Sequence, residues 1–359
     1  MDDTDQEINS LKNLDFTDIY VCSSDAGEPS YYNTIPTKTE KNRTLLVPWE
    51  YKESIDALVQ LINKIDKPNF SIDFGGMRFR GVRLNTLGNS KRVVFRRFPT
   101  EVPNLDDQNF TPDVLRTFKS WGKRSGLIVI GGSTRAGKTT TACSILKYFL
   151  INEGQTAITI EDPTEFDMQG PYGDNGLCLQ MPVDNEEDWS EKLKEALRAA
   201  PRYILMGEIR TAKAAANVLR ASNSGHLVIC TVHGGRLEET LGAIIQMALP
   251  ELGEMAQTLL ADGLLAVVHQ KIEGGVPVNN ILATTDSTSD PIRNIIKTGK
   301  LNSLSTEIYK QSINRQRDNS QQIAQLRSVE SSASMKLRVA DKVSVKYKST
   351  PKKSWWKFW

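Results

Sequence analysis

Four short apolar runs recur along the middle of the chain, with helical patterns between them. The runs are LIVI (127–130), AITI (157–160), YILM (203–206) and LVIC (227–230). They do not alternate with polar residues, which is typical of strands buried on both faces of a parallel sheet. Between them, Trp189, Leu193 and Leu197 repeat at helical spacing, and TAKAAANVLRASNSG (211–225) predicts another helix. This alternation predicts a doubly wound α/β domain.

The first hundred residues show a second pattern, with more strand than helix. A helix is predicted over 51–65, because its apolar residues fall on one face. These residues are Ile55, Leu58, Leu61, Ile62 and Ile65. Residues 70–99 predict hairpin strands around two glycine-containing turns, at 75–76 and 88–89. A small α+β domain over residues 1–100 is therefore expected.

Proline and polar residues mark the remaining boundaries. Three prolines between residues 98 and 113 predict a linker over 101–115. The α/β domain then covers 116–305. The sequence after it is too polar to form a core, so residues 306–359 are expected to be a tail, with part of it disordered.

The positive charge of the chain is concentrated in this tail. Residues 300–359 hold 13 Lys or Arg and four Asp or Glu, although the whole chain has a net charge of only +2. Trp355, Trp356 and Trp359 lie among lysines at its end. Indoles and lysines together favour a membrane–water interface, so we expect peripheral membrane contact. A docking peptide for a partner and an inert soluble end are the alternatives.

Cysteine and hydropathy patterns restrict the class of protein. The four cysteines, Cys22, Cys143, Cys178 and Cys230, form no C-x-x-C pair, which favours buried, reduced thiols over a zinc site or disulfides. No run of 18 apolar residues predicts a spanning helix, and the acidic N-terminus does not resemble a secretory signal. We expect a cytoplasmic protein that is peripheral to a membrane through its tail.

A glycine-rich loop follows the first apolar run and opens a helical pattern. The segment 132–139, GSTRAGKT, fits G-x-x-x-x-G-K-[ST], the Walker A or P-loop motif. Its backbone N–H groups and the helix N-terminus are suited to phosphates. Lys138 is expected to reach the β- and γ-phosphates of ATP, and Thr139 to bind Mg²⁺. The predicted nucleotide-binding residues here are Gly132, Ser133, Thr134, Arg135, Ala136, Gly137, Lys138, Thr139 and Thr140.

Acidic and histidine residues lie next to three of the other apolar runs. Glu161, Asp162 and Glu165 follow the second run, and a carboxylate there suits the activation of water, although a solvated acidic turn is an equal alternative. Glu208 follows the third run and resembles a Walker B acid that holds Mg²⁺. His226 and His233 flank the fourth run. They are interpreted as sensors of the γ-phosphate or of a neighbouring subunit, with a structural role as the alternative.

Together, these four motifs resemble the secretion and pilus ATPase superfamily, which includes PilT-like pilus motors and DotB- and TraJ-like ATPases of secretion and conjugation. EDPTEF, GEIR and GHLVICTVH are similar to its Asp box, Walker B and His box. The resemblance implies a PAS-like N-terminal domain, a RecA-like P-loop ATPase domain and a homo-hexamer. It also implies that residues 248–272 follow the His box as a helical segment, and that 290–300 contain another helix.

The resemblance also implies roles for individual residues. Lys138 and Thr139 would bind phosphate and Mg²⁺, Glu165 would activate the attacking water, and Glu208 would support Mg²⁺. His226 and His233 would couple the nucleotide state to the subunit interface. Arg78, Arg80 and Arg96 would neutralise charge on the γ-phosphate, and the alternative is that they are solvent-exposed strand residues.

The function implied is Mg²⁺-dependent ATP hydrolysis that powers a type IV secretion or conjugation machine through inner-membrane components. A type IV pilus retraction motor is the first alternative, and a structural ring subunit without turnover is another. A RecA-like nucleic-acid translocase is the alternative from a different class. Nucleic acid is not expected as a partner, because the arginine-rich strands lack regularly interleaved aromatic residues.

Overall fold

The structure is a computed structural model that describes residues 10–23, 28–35, 43–87, 91–98, 101–162, 164–183, 188–287 and 289–317. Residues up to Ile308 belong to one compact unit and Tyr309–Trp359 to a second. In the second unit the described residues, 309–317, are helical. Trp355, Trp356 and Trp359 and the predicted turn at 88–89 lie outside the described residues. No helix in the described part of the chain is long and apolar enough to cross a membrane.

The N-terminal part is a six-stranded antiparallel sheet packed against one helix. In space the strands run β3-β2-β1-β6-β5-β4. Their bounds are β1 Asp18–Cys22, β2 Tyr31–Asn33, β3 Thr44–Leu46, β4 Asn69–Phe74, β5 Met77–Asn85 and β6 Lys91–Phe98, and the helix is α1 Lys52–Ile62. Leu58 and Ile62 of α1 pack with Phe79 and Phe95 of the sheet in a core of their own. The predicted helix and hairpin strands are thus confirmed.

A larger mixed sheet of eight strands follows. Its order is β14-β13-β7-β12-β11-β8-β10-β9, with the inner strands parallel and the two edge strands antiparallel to their neighbours. The strands are β7 Gly126–Gly132, β8 Gln155–Glu161, β9 Gly170–Tyr172, β10 Gly176–Pro182, β11 Tyr203–Glu208, β12 Leu227–His233, β13 Leu264–Glu273 and β14 Val276–Ala283. The helices are α2 Pro112–Ser120, α3 Lys138–Asn152, α4 Asp188–Arg198, α5 Ala212–Ser222, α6 Leu237–Leu252, α7 Met255–Gly263 and α8 Pro291–Lys297.

The strands that contain the four apolar runs have apolar residues on both faces because each of them contributes to two cores. In β7, Leu127 and Val129 pack into one hydrophobic cluster, whereas Ile128 and Ile130 pack into the other. Successive side chains of a strand point to opposite faces, so both faces need apolar residues. All four predicted apolar runs are therefore central strands.

Two segments differ from the sequence-based expectation in an informative way. Residues 101–111, which were expected in a linker, pack against α3: Ser144 Oγ donates to Pro103 O at 2.8 Å and Lys147 Nζ donates to Val102 O at 2.7 Å.

The prediction of a helical segment over 248–272 is wrong in its second half. Residues from Leu264 onward form β13, because an apolar strand there fills the position beside β7.

All four cysteines are buried, as predicted, and none of them forms a disulfide. Burial raises the pKa of Cys178 to about 12 and raises the pKa values of Cys143 and Cys230 as well. A raised thiol pKa means that the thiolate is scarce at neutral pH, so these side chains act as small apolar groups of the core.

Candidate functional site

The glycine-rich loop (132–139) connects β7 to α3 and closes around the side chain of Lys138. Gly137 has a φ of +75° and caps the N-terminus of α3 in the left-handed region that favours glycine. A Cβ on Gly132 would lie 2.4 Å from the carbonyl oxygen of Gln270, so no larger residue fits there. Lys138 Nζ donates to the carbonyl oxygens of Gly132 and Ser133, each at 3.0 Å. The ammonium group is therefore held at the N-terminus of a helix.

Gln270 of β13 supports this loop from behind, and the sequence-based analysis missed it. Its side chain is 1% exposed. Nε2 donates to Ala136 O at 2.7 Å, and Oε1 accepts from Thr141 Oγ1 and from Asn279 Nδ2, each at 2.9 Å. The sequence signal for this role of Gln270 is its position as a polar residue in the otherwise apolar stretch LLAVVHQ (264–270).

The acidic segment (161–165) leaves the end of β8, and its carboxylates have different surroundings. Glu161 is 2% exposed and Oε1 accepts from Gln180 Nε2 at 3.3 Å. Asp162 is exposed, whereas Glu165 is half-buried. Gln180 also accepts from Met168 N at 2.6 Å and donates to Phe166 O at 3.0 Å. The Gln180 amide thus holds the chain on the C-terminal side of Glu165.

Burial changes the proton affinities of the charged groups here. Burial raises the pKa of Glu165, although a hydrogen bond with Thr139 and the positive charge of Arg80 oppose the change. Burial lowers the pKa of Lys138, and the negative charges of Glu208 and Glu165 oppose that change. A carboxylate with a raised pKa is a stronger base than an ordinary one, so Glu165 is suited to accept a proton from water.

Glu208, at the end of β11, is held between two cationic or protonatable side chains. Arg210 donates to its Oε2 through Nε at 2.8 Å and also through Nη2. His233 Nε2 lies 2.5 Å from its Oε1. Since β11 and β12 are parallel neighbours, their carboxyl ends place Glu208 and His233 side by side.

One cavity of about 430 Å³ brings most of the predicted site residues together. Its lining comprises Arg80, Arg96, Phe98, Thr134, Arg135, Ala136, Gly137, Lys138, Thr139, Thr140, Glu165, Glu208, Arg210, Thr231 and His233. We call it the central cavity. It lies at the carboxyl ends of the parallel strands, which is where open α/β sheets usually bind ligands. The first three of these residues come from the N-terminal sheet.

Electrostatics in the central cavity favour an anion beside the glycine-rich loop. Nε of Arg80 is buried and has no hydrogen-bond partner. Arg96 Nε instead donates to Asp18 Oδ1 at 2.8 Å, and the Asp18 side chain is 3% exposed. Asp18 therefore fixes one of the predicted arginines, whereas Arg80 keeps a donor for a ligand.

Four predicted residues do not line the central cavity. Gly132 and Ser133 lie behind it and offer their carbonyl oxygens to Lys138. His226 precedes β12 and so lies at the opposite end of the strand from His233, where its Nδ1 is 2.7 Å from Pro201 O. Arg78 lines an adjacent cavity instead. A strand's two ends are too far apart for both histidines to meet one ligand.

Arg210 and Thr231 line the central cavity although the sequence-based analysis did not select them. Arg210 lies two residues after Glu208 in the Walker B-like motif GEIR. Its place in this motif could have predicted that it lies near Glu208. Thr231 lies two residues before His233 in the fourth apolar strand.

Comparisons with known proteins identify the family of the chain. Residues 67–342 match the model of the family described as "Type II/IV secretion system protein". The chain is 30% identical over 257 residues to a twitching motility protein of Neisseria gonorrhoeae, covering 68% of this chain and 65% of that protein. It is 29% identical over 276 residues to the type IV pilus retraction ATPase PilT of Pseudomonas aeruginosa, covering 72% of this chain and 76% of that one.

Solved structures show the same fold. The pilus retraction motor PilT, solved with bound ADP, superposes with a TM-score of 0.64 at 24% identity, covering 82% of this chain and 86% of that one. The ATPase DotB of Legionella pneumophila superposes with a TM-score of 0.60 at 22% identity, covering 82% and 83%. Because the family model covers more than half of its residues, the chain belongs to the type II/IV secretion system protein family.

Proposed function

We propose that this chain is an ATPase that binds ATP and Mg²⁺ in the central cavity and works as the motor of a type IV secretion or conjugation machine. The observation that carries this proposal is the convergence of Lys138, Thr139, Glu165 and Glu208 on one cavity at the carboxyl ends of the sheet. The names of the relatives support ATP hydrolysis, since they include pilus ATPases.

The residues of the central cavity fit a magnesium-bound triphosphate. The Thr139 hydroxyl and the Glu208 carboxylate supply oxygen ligands of the kind that Mg²⁺ prefers, and Mg²⁺ usually takes only one or two protein carboxylates beside substrate phosphates. The unpartnered Nε of Arg80 and the ammonium of Lys138 suit phosphate oxygens. When bound, the metal would neutralise charge on those oxygens.

Each side chain then has a defined task. Lys138 exchanges its two loop carbonyl partners for phosphate oxygens, and Arg80 and Arg96 neutralise charge on the outer phosphate. Glu165 orients a water molecule and accepts its proton. Arg210 and His233 hold the Glu208 carboxylate in position. Through this contact, Arg210 and His233 sense whether a phosphate is present.

We further propose a homo-hexamer that acts through inner-membrane components, with a cytoplasmic location. Two sequence features support the secretion and conjugation branch of the family. The segment 290–300 has Lys297 and Thr298 where the similar segment of PilT-like motors ends in Arg-Glu, and the chain carries a long basic tail. A pilus retraction motor is the second candidate, because two of the relatives are a twitching motility protein and a retraction ATPase.

ATP hydrolysis by the purified chain tests the proposal. Lys138→Ala should abolish nucleotide binding, whereas Glu165→Gln should retain binding and lose turnover by about 10²–10⁴-fold, the usual contribution of a general base. Glu191→Gln serves as the matched control for Glu165→Gln, because Glu191 is an exposed residue of α4. Turnover by Glu165→Gln at the parent rate would reject the proposed mechanism.

Mass and cell-level measurements test the remaining parts. A hexamer mass with ATP supports the ring, and a monomer under every nucleotide condition contradicts it. In the source bacterium, a deletion strain that loses conjugation or secretion but keeps pilus length and twitching supports the first candidate. A deletion strain that keeps conjugation or secretion but changes in pilus length or twitching supports the retraction motor instead.

A further inference from the structure

A second cavity of about 480 Å³ lies beside the central cavity, between the N-terminal sheet and the acidic segment. We call it the adjacent cavity. The basic and hydroxyl side chains of its lining include those of Lys67, Ser71, Arg78, Arg80 and Arg210. Its acidic lining residues are Glu161 and Asp162. None of the four motifs in the sequence requires such a cavity.

Two hydrogen-bond donors that the central cavity does not use have no partner here. They are Nε of Arg78 and Oγ of Ser71, and both atoms are buried. The nearest acid to Arg78 is Asp73, whose Oδ1 is 3.9 Å from Nε, beyond hydrogen-bond distance, and whose side chain is 76% exposed. Unpaired buried donors are unfavourable, so a ligand that accepts several hydrogen bonds would stabilise this arrangement.

The charges also favour an anion. Arg210 is paired with Glu208, but three further cationic side chains, Lys67, Arg78 and Arg80, line the cavity. Asp162 is exposed to solvent, and burial raises the pKa of Glu161, which disfavours its negative charge. Guanidinium groups in pairs suit the tetrahedral oxygens of phosphate. The cavity thus combines excess positive charge with donors that lack partners.

Arg80 and Arg210 line both cavities. A guanidinium group shared by the two cavities is therefore available to an anion in either of them. We propose that the adjacent cavity binds inorganic phosphate and receives it from the central cavity after ATP hydrolysis, before release to solvent. The phosphate site itself rests on the adjacent cavity alone, whereas its role as a product site rests on the proposed ATPase function.

Equilibrium dialysis with radiolabelled inorganic phosphate tests the site. The full chain is first saturated with Mg²⁺ and a non-hydrolysable ATP analogue, so that the central cavity is filled. The parent should still bind one phosphate per chain, and Arg78→Gln should bind it about tenfold more weakly, as expected for the loss of one charge-assisted hydrogen bond. Arg78→Lys should fall between the two.

Arg92→Gln is the matched control, because Arg92 lies in the same sheet and pairs with Glu28 away from both cavities. It should bind phosphate as the parent does. Loss of phosphate binding when the analogue is present, or equal affinity in Arg78→Gln and the parent, overturns the proposal. Analogue binding and thermal unfolding of the same samples show that each variant is folded.

The product role has its own readout. In steady-state assays, added phosphate should inhibit hydrolysis non-competitively against ATP, and Arg78→Gln should raise the inhibition constant. Purely competitive inhibition contradicts the product role. If the chain hydrolyses no ATP yet Lys138→Ala still binds phosphate in an Arg78-dependent way, the proposed function fails and the phosphate site stands.

Discussion

Gln270 Nε2 donates a 2.7 Å hydrogen bond to the carbonyl oxygen of Ala136, which ties the glycine-rich loop to a strand 134 residues further along the chain. The same side chain accepts from Thr141 on the first turn of α3. One amide thus fixes both the loop and the helix that it opens. The geometry around Lys138 depends on a residue outside the motif.

Replacing Gln270 with Leu should loosen the loop. The change leaves Ala136 O and Thr141 Oγ1 without a buried partner, which should lower the free energy of unfolding by about 1–3 kcal/mol. Nucleotide affinity should fall as well, because the loop loses its preformed shape. Urea denaturation and titration with a fluorescent ATP analogue measure the two effects. Lys271→Ala, an exposed neighbour on the same strand, should behave as the parent, and equal effects in both variants would refute this role.

Gln180 should act on the rate of hydrolysis and not on nucleotide affinity. Its amide holds Phe166 O and Met168 N, so Gln180→Leu should release the segment that carries Glu165. We expect kcat to fall by about tenfold or more with KM nearly unchanged, since misplacing a catalytic group affects the transition state. Leu179→Ala, on the opposite face of β10, is the control. A change confined to KM would argue against this positioning role.

The buried Glu161 predicts a pH-dependent stability difference. Burial raises its pKa in the folded state above that in the unfolded state. The Glu161 carboxyl therefore loses its proton at a lower pH in the unfolded chain than in the folded one. Between the two pKa values, the stability of the fold decreases as the pH rises. Glu161→Gln should thus gain stability relative to the parent between acidic and neutral pH.

Denaturation at a series of pH values measures this difference. Glu191→Gln, on the exposed surface of α4, should follow the parent at every pH. A stability difference for Glu161→Gln that stays constant from pH 4 to pH 8 would show that the Glu161 carboxyl does not change its protonation on unfolding.

The Arg96–Asp18 pair should stabilise the N-terminal sheet more than an exposed pair does. The Asp18 side chain is 3% exposed, whereas Asp56, the partner of Lys52 on α1, is 39% exposed. Arg96→Ala leaves a buried carboxylate without its cation and should cost about 1–3 kcal/mol. Lys52→Ala should cost less than about 1 kcal/mol, as is typical of surface pairs.

A second substitution separates this effect from simple loss of packing. Adding Asp18→Asn to Arg96→Ala removes the buried charge and should recover part of the lost stability. No recovery in thermal or urea unfolding would mean that Arg96 stabilises the sheet through its aliphatic contacts alone.

The local patterns of the sequence were sufficient for much of the fold. The helix over 51–65 and the four apolar strands were predicted because burial on one or both faces leaves a direct periodicity in the chain. The glycine-rich loop was predicted for a similar reason, since its spacing and its glycines are local requirements. Glu165, Glu208 and His233 also line the cavity with Lys138, because each follows the carboxyl end of a strand.

Other assignments needed the strand order and the packing of the two sheets. LLAVVHQ was expected within a helical segment, and only the position beside β7 made it a strand. His226 precedes β12 and His233 ends it, so strand direction decided which of them lies at the cavity. Arg78 and Arg80 are two residues apart on one strand, yet Arg80 lines both cavities and Arg78 only the adjacent one.

The sequence by itself thus determined the elements and the residue types that we propose bind phosphate and activate water, because these depend on neighbours a few positions away. Only the tertiary structure decided which side chains share a cavity and which hold them in place. Gln270, Gln180 and Asp18 act on residues that are 134, 14 and 78 positions away, and no local spacing records such contacts.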